Sequence, residues 1–406
     1  MPVGHYTWAA GHGGSRYLGE PLDSLFMARV LRLTALVFLC PSAALAQTDS
    51  TARGPMFETV VSAADPRWSF ADGAEHRVGA HRGRRALYLD GRATLRGSTF
   101  QDGVLSVDVA LTGQRAFAGL TFRVRGGEAE IDAEEVYLRL HKSGQPDAVQ
   151  YTPVYRGQSA WQLYREHQAA AALPAGEWTR LRVVVHGRKA RVYLGDGPDP
   201  VAVVDGLRHG DGEGAVGLFS LFGAHFADLR FTPDPVPGVP APSAAPSAEP
   251  APGVVASWAL SEARPLGEDD LAVYPDDLRG WTVAEAEPSG LLPIGRDRAR
   301  RSEVDVAWAR VDVVADEAGP RAFTFDYSDR AVVFLNGRPV AAGDNSFLSK
   351  GPFYRGDVGL GANTVYLDLD VGPNELLVAV AERANGWGLI GRFDDPSGLT
   401  VTAALP

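Results

Sequence analysis

"TPDPVPGVPAPSAAPSAEPAPG", Thr232 to Gly253, is the stretch that most restricts how this chain can fold. Alternating Pro, Ala and Ser cannot bury a face, and Pro favours extended polyproline conformations, so a semi-rigid spacer is expected there. Each flank must then close a core of its own. With 406 residues and a 45% hydrophobic fraction, there is apolar material for two cores. The expected organisation is a first folded part over 57–233, a Pro/Ala/Ser linker over 234–254 and a second folded part over 255–406.

Both parts read as all-β. Upstream of the spacer, "GVLSVDVAL", "FAGLTFRVR", "EVYLRLH", "AVQYTPV", "WTRLRVVVHG" and "KARVYLGDG" have strand length and β-branched or aromatic content, with Gly, Pro and Asp between them. Downstream, "AWARVDVVAD", "RAFTFDYS", "RAVVFLNGRPVAAG" and "NELLVAVAE" repeat that style, and Asn336-Gly337 suits a tight hairpin turn because both residues tolerate positive φ. No amphipathic helix of any length is legible. The fold class expected is all-β, with two antiparallel β-sandwich domains of jelly-roll type joined by the Pro/Ala-rich linker.

Charge and the N-terminal segment bound the setting. The formal charge of -11, from 50 acidic and 39 basic side chains, gives no electrostatic reason to approach nucleic acid. "MARVLRLTALVFLCPSAALAQ", from Met27, has a basic start, a short apolar run and small residues before Gln47, the pattern of a secretory signal cleaved after Ala46. Residues 1–26 then read as an upstream extension, and the mature chain as secreted or periplasmic. No stretch approaches the roughly 20 apolar residues of a membrane-spanning helix. The single cysteine, Cys40, lies within the removed segment, which leaves no disulfide and no thiolate chemistry.

The densest mixture of aromatic and polar side chains is "EEVYLRLHKSGQPDAVQYTPVYRGQSAWQLY", Glu134 to Tyr164. On a strand, Val136, Leu138 and Leu140 face one way, towards the core, and Glu135, Tyr137, Arg139 and His141 the other. The same alternation turns Arg123 outward in "LTFRVR". Flat rings cover the apolar faces of sugars, and planar Arg and Gln side chains match paired hydroxyls. Arg123, Tyr137, Arg139, His141, Gln150, Trp161, Gln162 and Tyr164 are therefore the candidate ligand face. The alternative is an ordinary solvated face of an antiparallel sheet. The scattered histidines lack a metal-ligand spacing, so no metal or cofactor is expected; the acidic stretch Glu128 to Glu135 could hold calcium but lacks an EF-hand spacing, which leaves calcium open and not indicated.

"GEWTRLRVVVHGRKARVYLGDG" followed by "GAVGLFSLFGAHFADLRF" resembles the closing strands of concanavalin A-like lectin/glucanase jelly rolls, including laminin G-like domains. That resemblance implies a sandwich over 57–233 but leaves lectin, glycosidase and adhesion functions open, since one fold hosts all three. "EIDAE" resembles the E-x-D-x-E strand of laminarinase-type glycosidases, which implies Glu130 as nucleophile, Glu134 as acid/base and Asp132 between them. Strand parity opposes it, because those carboxylates share the Val136 face unless a bulge intervenes. The 3-keto-disaccharide hydrolases share the jelly roll too, without residues that can be matched. "SDRAVVFLNGRPVAAG" with "LDLDVGPNELLVAVAERANGWGLIGRF" resembles galactose-binding-like domains attached to glycoside hydrolases. There, Phe353 and Tyr354 in a long polar loop are ligand candidates, and Trp387 is either a sugar platform or a plug closing the sandwich. The resulting expectation is a secreted, non-catalytic carbohydrate-binding protein with two glycan-recognition modules for a poly- or oligosaccharide. A glycoside or 3-keto-disaccharide hydrolase with an accessory module, and a laminin G-like adhesion module, are the alternatives.

Overall fold

The computed structural model describes residues 59–112, 115–127, 130–233, 250–267 and 271–406. The signal segment with Cys40, most of the linker and Glu128 lie outside the described residues. What is described is built almost wholly of antiparallel strands, as the alternation predicts. Among the described residues no helix is long and apolar enough to cross a membrane.

The first sandwich is a 14-stranded sheet folded over one core. Its central order runs Val149–Tyr155, Asp132–Arg139, Phe117–Arg125, Gly214–Pro233, Gly103–Leu111, Thr179–His186, Lys189–Leu194. The Gly214–Pro233 strand joins the layers: residues from Ala215 to Leu221 pair with Phe117–Arg125, and those from Ala224 onward pair with Gly103–Leu111. The bend between them is made by Phe222 and Gly223, with φ of +69° and +76°. Gly223 is needed twice over, since a Cβ there would stand 2.4 Å from the Tyr88 hydroxyl. Leu105, Val107, Leu181 and Val183 meet Leu120, Val136, Leu138 and Leu218 in the core.

The second sandwich pairs an 8-stranded with a 4-stranded sheet. Asp305–Ala315 and Gly372–Glu382 run through the centre of the larger sheet; Gly319–Ser328 lies between Gly388–Phe393 and Asn363–Leu369 in the smaller. Trp258, Phe323, Val378 and Phe393 fill the space between them. Asn336 and Gly337, at φ of +49° and +78°, form the expected hairpin turn.

The expected one-wet-face pattern holds for Thr179–His186, where buried and half-buried residues alternate, but fails elsewhere in the first sandwich. Gly103–Leu111 and Val149–Tyr155 are buried at every position, and Asp132–Arg139 at all but its first. Part of the covering comes from the second sandwich, which packs against the first in one compact unit. Tyr155, Ala160, Leu163 and Tyr164 interlock with Leu291, Val358 and Ile390. Around them the Gln162 amide donates to the Arg355 carbonyl at 2.6 Å, the Val358 N–H donates to the Gln162 carbonyl at 2.9 Å, and Tyr164 Oη donates to Glu287 at 2.7 Å. The two sandwiches are docked, not strung as separate beads.

A docked pair should unfold together. We expect one calorimetric transition for the wild-type chain and two for Leu163→Asp, because an unpaired carboxylate among these apolar side chains costs about 3 kcal/mol or more. Two transitions already in the wild type would remove this coupling.

Candidate functional site

Strand register gathers a polar and aromatic face on the outer side of the first sandwich. Arg92 stands opposite Phe219, Phe219 opposite Gly119, Gly119 opposite Tyr137, and Tyr137 opposite Gln150, so these residues form one row across adjacent strands. The next row runs Thr94, Gly217, Thr121, Glu135, Thr152. Leu221, Phe117 and Arg139 form the row on the other side. Gly119 is the low point of this floor. A Cβ there would stand 1.9 Å from the Val136 carbonyl oxygen, and its absence lets the Tyr137 and Phe219 rings meet across it, centroids 5.7 Å apart.

The rings form an unbroken run. Phe222 lies 6.1 Å from Phe117, Phe117 lies 6.0 Å from Tyr137 and 5.0 Å from His141, and Tyr137 continues to Phe219. Guanidinium groups cover them: Arg92 at 4.6 Å from the Phe219 centroid, Arg115 at 5.7 Å from Phe117 and 5.2 Å from Phe222. Leu221, Phe222, Arg115 and His141 are exposed, whereas Phe117, Phe219 and Arg92 are half-buried. Beneath them Glu135, fully buried, accepts from Arg92 at 2.5 Å, while its Oε1 has no hydrogen-bond partner among the described residues. Burial raises the Glu135 pKa, and Arg92 offsets only part of that rise.

Most of the sequence-derived candidates lie on or beside this face, but deeper than alternation implied. Tyr137 and Arg139 are 3% and 1% exposed, and Gln150, Gln162 and Tyr164 are fully buried. Arg139 donates to the Tyr137 hydroxyl at 2.9 Å, to Gln150 Oε1 at 3.0 Å and to the Asp147 carbonyl at 3.1 Å. Gln150 in turn donates to the Tyr164 carbonyl at 3.1 Å. Trp161, half-buried, lies between Arg139 at 5.2 Å and Arg355 at 5.1 Å and donates its indole N–H to Asn385 at 3.1 Å. Arg355 reaches from the second sandwich to Asp147 as an ion pair. The expectation that Tyr137, Arg139, Gln150, Gln162 and Tyr164 stand free for a ligand is therefore corrected: they form the polar seam along which the sandwiches dock. His141 alone among these candidates is exposed, in a short helical turn after the strand ends at Arg139.

Arg123 requires a second correction. A register shift between Phe122 and Arg125 places an extra residue there, and Arg123 takes φ of +52°. Its fully buried guanidinium donates to the carbonyls of Gln101 at 2.9 Å and Gly187 at 2.7 Å, and pairs with Asp102 at 3.1 Å. It is an internal bolt between loops. The same stretch places the three carboxylates apart. Glu130 is exposed near Arg156, Asp132 accepts the Arg156 N–H at 2.9 Å, and Glu134 is buried, accepting from Tyr151 Oη at 2.6 Å and the His209 N–H at 2.9 Å.

In the second sandwich Trp387 is the plug of the two alternatives: 4% exposed, in the core, with its indole N–H donated to the Val380 carbonyl at 3.0 Å. Tyr354 turns its hydroxyl onto Asn345 at 2.8 Å, and Phe353 is 91% exposed beside it. Among the described residues no cluster of His, Cys, Asp and Glu suits a metal ion. The residues missed from sequence were Arg92, Arg115, Phe117, Phe219 and Phe222; Glu135 was placed on this face but not among the ligand candidates. "GLFSLF" does put Phe219 on the face opposite Leu218 and Ser220, but its ring partners come from strands about a hundred residues away in sequence.

No protein-family model matches the chain, and no curated protein matches it. Solved structures similar in fold include the carbohydrate-binding module CBM66 from Bacillus subtilis, 14% identical over 41% of this chain and 96% of that one, TM-score 0.31. Another is the Caenorhabditis elegans galectin LEC-6, 10% identical over 41% of this chain and 96% of that one, TM-score 0.25. A third is SCLam, a non-specific endo-β-1,3(4)-glucanase of family GH16, 9% identical over 45% of this chain and 96% of that one, TM-score 0.25.

Next to the seam, His167 supplies a pH handle. Burial, then the charge of Arg208, takes its pKa from 6.5 down to about 4. The folded chain thus refuses a proton that the unfolded chain accepts, so His167 lowers stability as pH falls from about 6.5 to about 4 and has no effect above. Denaturation at pH 7.5, 5.5 and 4.5 should show a shallower acid-side fall for His167→Asn, by up to about 1.4 kcal/mol per pH unit. Parallel profiles would contradict the assignment.

Proposed function

We propose that this chain binds carbohydrate without cleaving it, and that the ligand lies along the Phe222–Phe117–Phe219 edge of the first sandwich. The observation that carries the reading is the half-open run of rings with guanidinium groups stacked beside it. Pyranose rings present flat apolar faces of C–H groups and an equatorial belt of hydroxyls; the rings suit the first, and Arg92, Arg115 and His141 supply hydrogen-bond donors for the second. Glu135 acts from below, fixing the Arg92 guanidinium by a charge-assisted bond so that little side-chain entropy is lost on binding.

Binding is favoured over hydrolysis by the placement of the acidic residues. Retaining glycosidases need two carboxyl groups about 5 Å apart across the scissile bond. Glu134 has both oxygens engaged inside the protein, and Glu130 is on the surface beside Arg156. Adhesion to a protein is disfavoured by size. At this edge the open apolar side chains are Leu221 and Phe222 with the rims of Phe117 and Phe219, a narrow strip rather than the broad face a stable protein interface uses.

The rest of the reading follows from the sequence. The first sandwich is taken as lectin/glucanase-like and the second as galactose-binding-like, the latter bracing the seam beside the binding edge through Arg355 and Asn385, which meet Trp161 of the first. The setting is secreted or periplasmic, so N-terminal sequencing of the exported protein should begin at Gln47. A first residue elsewhere would move or remove the signal assignment.

A polysaccharide pull-down with the full chain, followed by product analysis of the same mixture, tests binding and cleavage together. Phe219→Ala and Phe222→Ala should each weaken affinity about tenfold, the worth of one ring contact of roughly 1–1.5 kcal/mol. Tyr366→Ala, on an exposed ring of the second sandwich, should leave it unchanged. Unaltered affinity in both folded Phe variants would remove the site, and new reducing ends would make the chain an enzyme.

A further inference from the structure

We propose that the sugar taken on this edge carries an oxyanion, a carboxylate or a sulfate ester, received by Arg115 and Lys142 beside His141. This rests on the carbohydrate reading above and specifies its ligand class. The chain as a whole is acidic, at -11, yet positive charge collects at this edge. Arg139, Arg355 and Lys142 converge on the single carboxylate of Asp147, the last at 3.7 Å. Arg115 projects from the start of the Phe117–Arg125 strand over Phe117 and Phe222, exposed, with no carboxylate partner among the described residues.

Of the nearby acids, Asp147 is the one held in ion pairs. Asp147 would be raised by burial, but Arg355, Lys142 and Arg139 outweigh that and hold it below the usual carboxylate range. Asp90 accepts the Phe222 N–H at 3.0 Å. Asp357 is half-buried, its Oδ1 has no hydrogen-bond partner among the described residues, and burial raises its pKa against the lowering pull of Arg355, Arg165 and Arg139. Arg92 is bonded to Glu135 beneath it. At His141, burial chiefly, with the neighbouring charges of Arg115, Lys142, Arg139 and Arg355 adding to it, brings the pKa down to about 4. At neutral pH it is an uncharged imidazole able to donate one hydrogen bond. An anionic group placed here meets two exposed or part-exposed cations and a ring donor, next to the Phe117 face on which its sugar would stack. A neutral sugar would gain only the stacking.

Chemically matched polymers isolate the charge. Polygalacturonate is compared with its fully methyl-esterified form, and dextran sulfate with dextran, by affinity electrophoresis of the full chain at two salt concentrations. The expected result is retardation by at least one acidic polymer, roughly tenfold or more stronger than by its neutral counterpart and weakened by salt. Which acidic polymer binds distinguishes carboxylate from sulfate ester. Arg115→Gln and Lys142→Gln should each weaken that binding roughly fivefold, as expected for a rim charge, whereas Arg383→Gln on the second sandwich should not. Stronger binding of the neutral member of a pair would overturn the proposal while leaving the carbohydrate reading intact. So would acidic binding that Arg115→Gln and Lys142→Gln leave unchanged. If no glycan, neutral or acidic, is bound, the carbohydrate reading fails and this inference with it.

Discussion

The buried guanidinium of Arg139 is the interaction on which the rest of this arrangement depends. A charge at 1% exposure is tolerable only where most of its donors are engaged, and here the two terminal nitrogens serve Tyr137, Gln150 and the Asp147 carbonyl, while Nε has no hydrogen-bond partner among the described residues. Asp147 then carries the link outward, because its carboxylate is also the ion partner of Arg355 from the second sandwich. Trp161 is held between the two arginines. One buried cation therefore sets the tilt of the Tyr137 ring, closes the sheet face and offers the second sandwich a charge-matched place to dock.

Much of the fold was legible in the sequence because it depends on local signals. Alternation located the strands, and Asn336-Gly337 located a turn whose φ values require such residues. Which side of a strand would meet water was not legible. Alternation separates two faces and says nothing about what lies against them. Tyr137 and Arg139 do point away from Val136 and Leu138, as parity requires, but a second sandwich and the segment around Trp161 lie over them. Arg123 failed for another reason. A single extra residue in one strand reverses parity beyond it, and nothing in "LTFRVR" marks where the extra residue falls.

The half-open edge was illegible because its members are assembled by long-range register. Arg92 and Glu135 are 43 positions apart, and Phe219 reaches Tyr137 only because the strand between them carries Gly119 at that point. A reader of "FAGLTF" sees a glycine in a strand, which on propensity alone is a weakness. In the folded chain that glycine is the floor of the aromatic run. Its meaning depends on two strands that the local sequence does not mention.

These features bear on why so much charge is buried where apolar side chains would hold the sheets together as well. A buried ion pair seldom exceeds a hydrophobic replacement in stability, because desolvation offsets the attraction. Its geometric demand is the difference. Leu or Met in place of Arg139 would fill the volume, yet would leave Gln150 Oε1, the Tyr137 hydroxyl and the Asp147 carbonyl without the donor they share, and would leave Asp147 to Arg355 and Lys142 alone. The seam thus fixes one docking arrangement among the many that two apolar sandwich faces would allow. In doing so it leaves Phe117, Phe219 and Phe222 at an edge that neither the core nor the second sandwich closes.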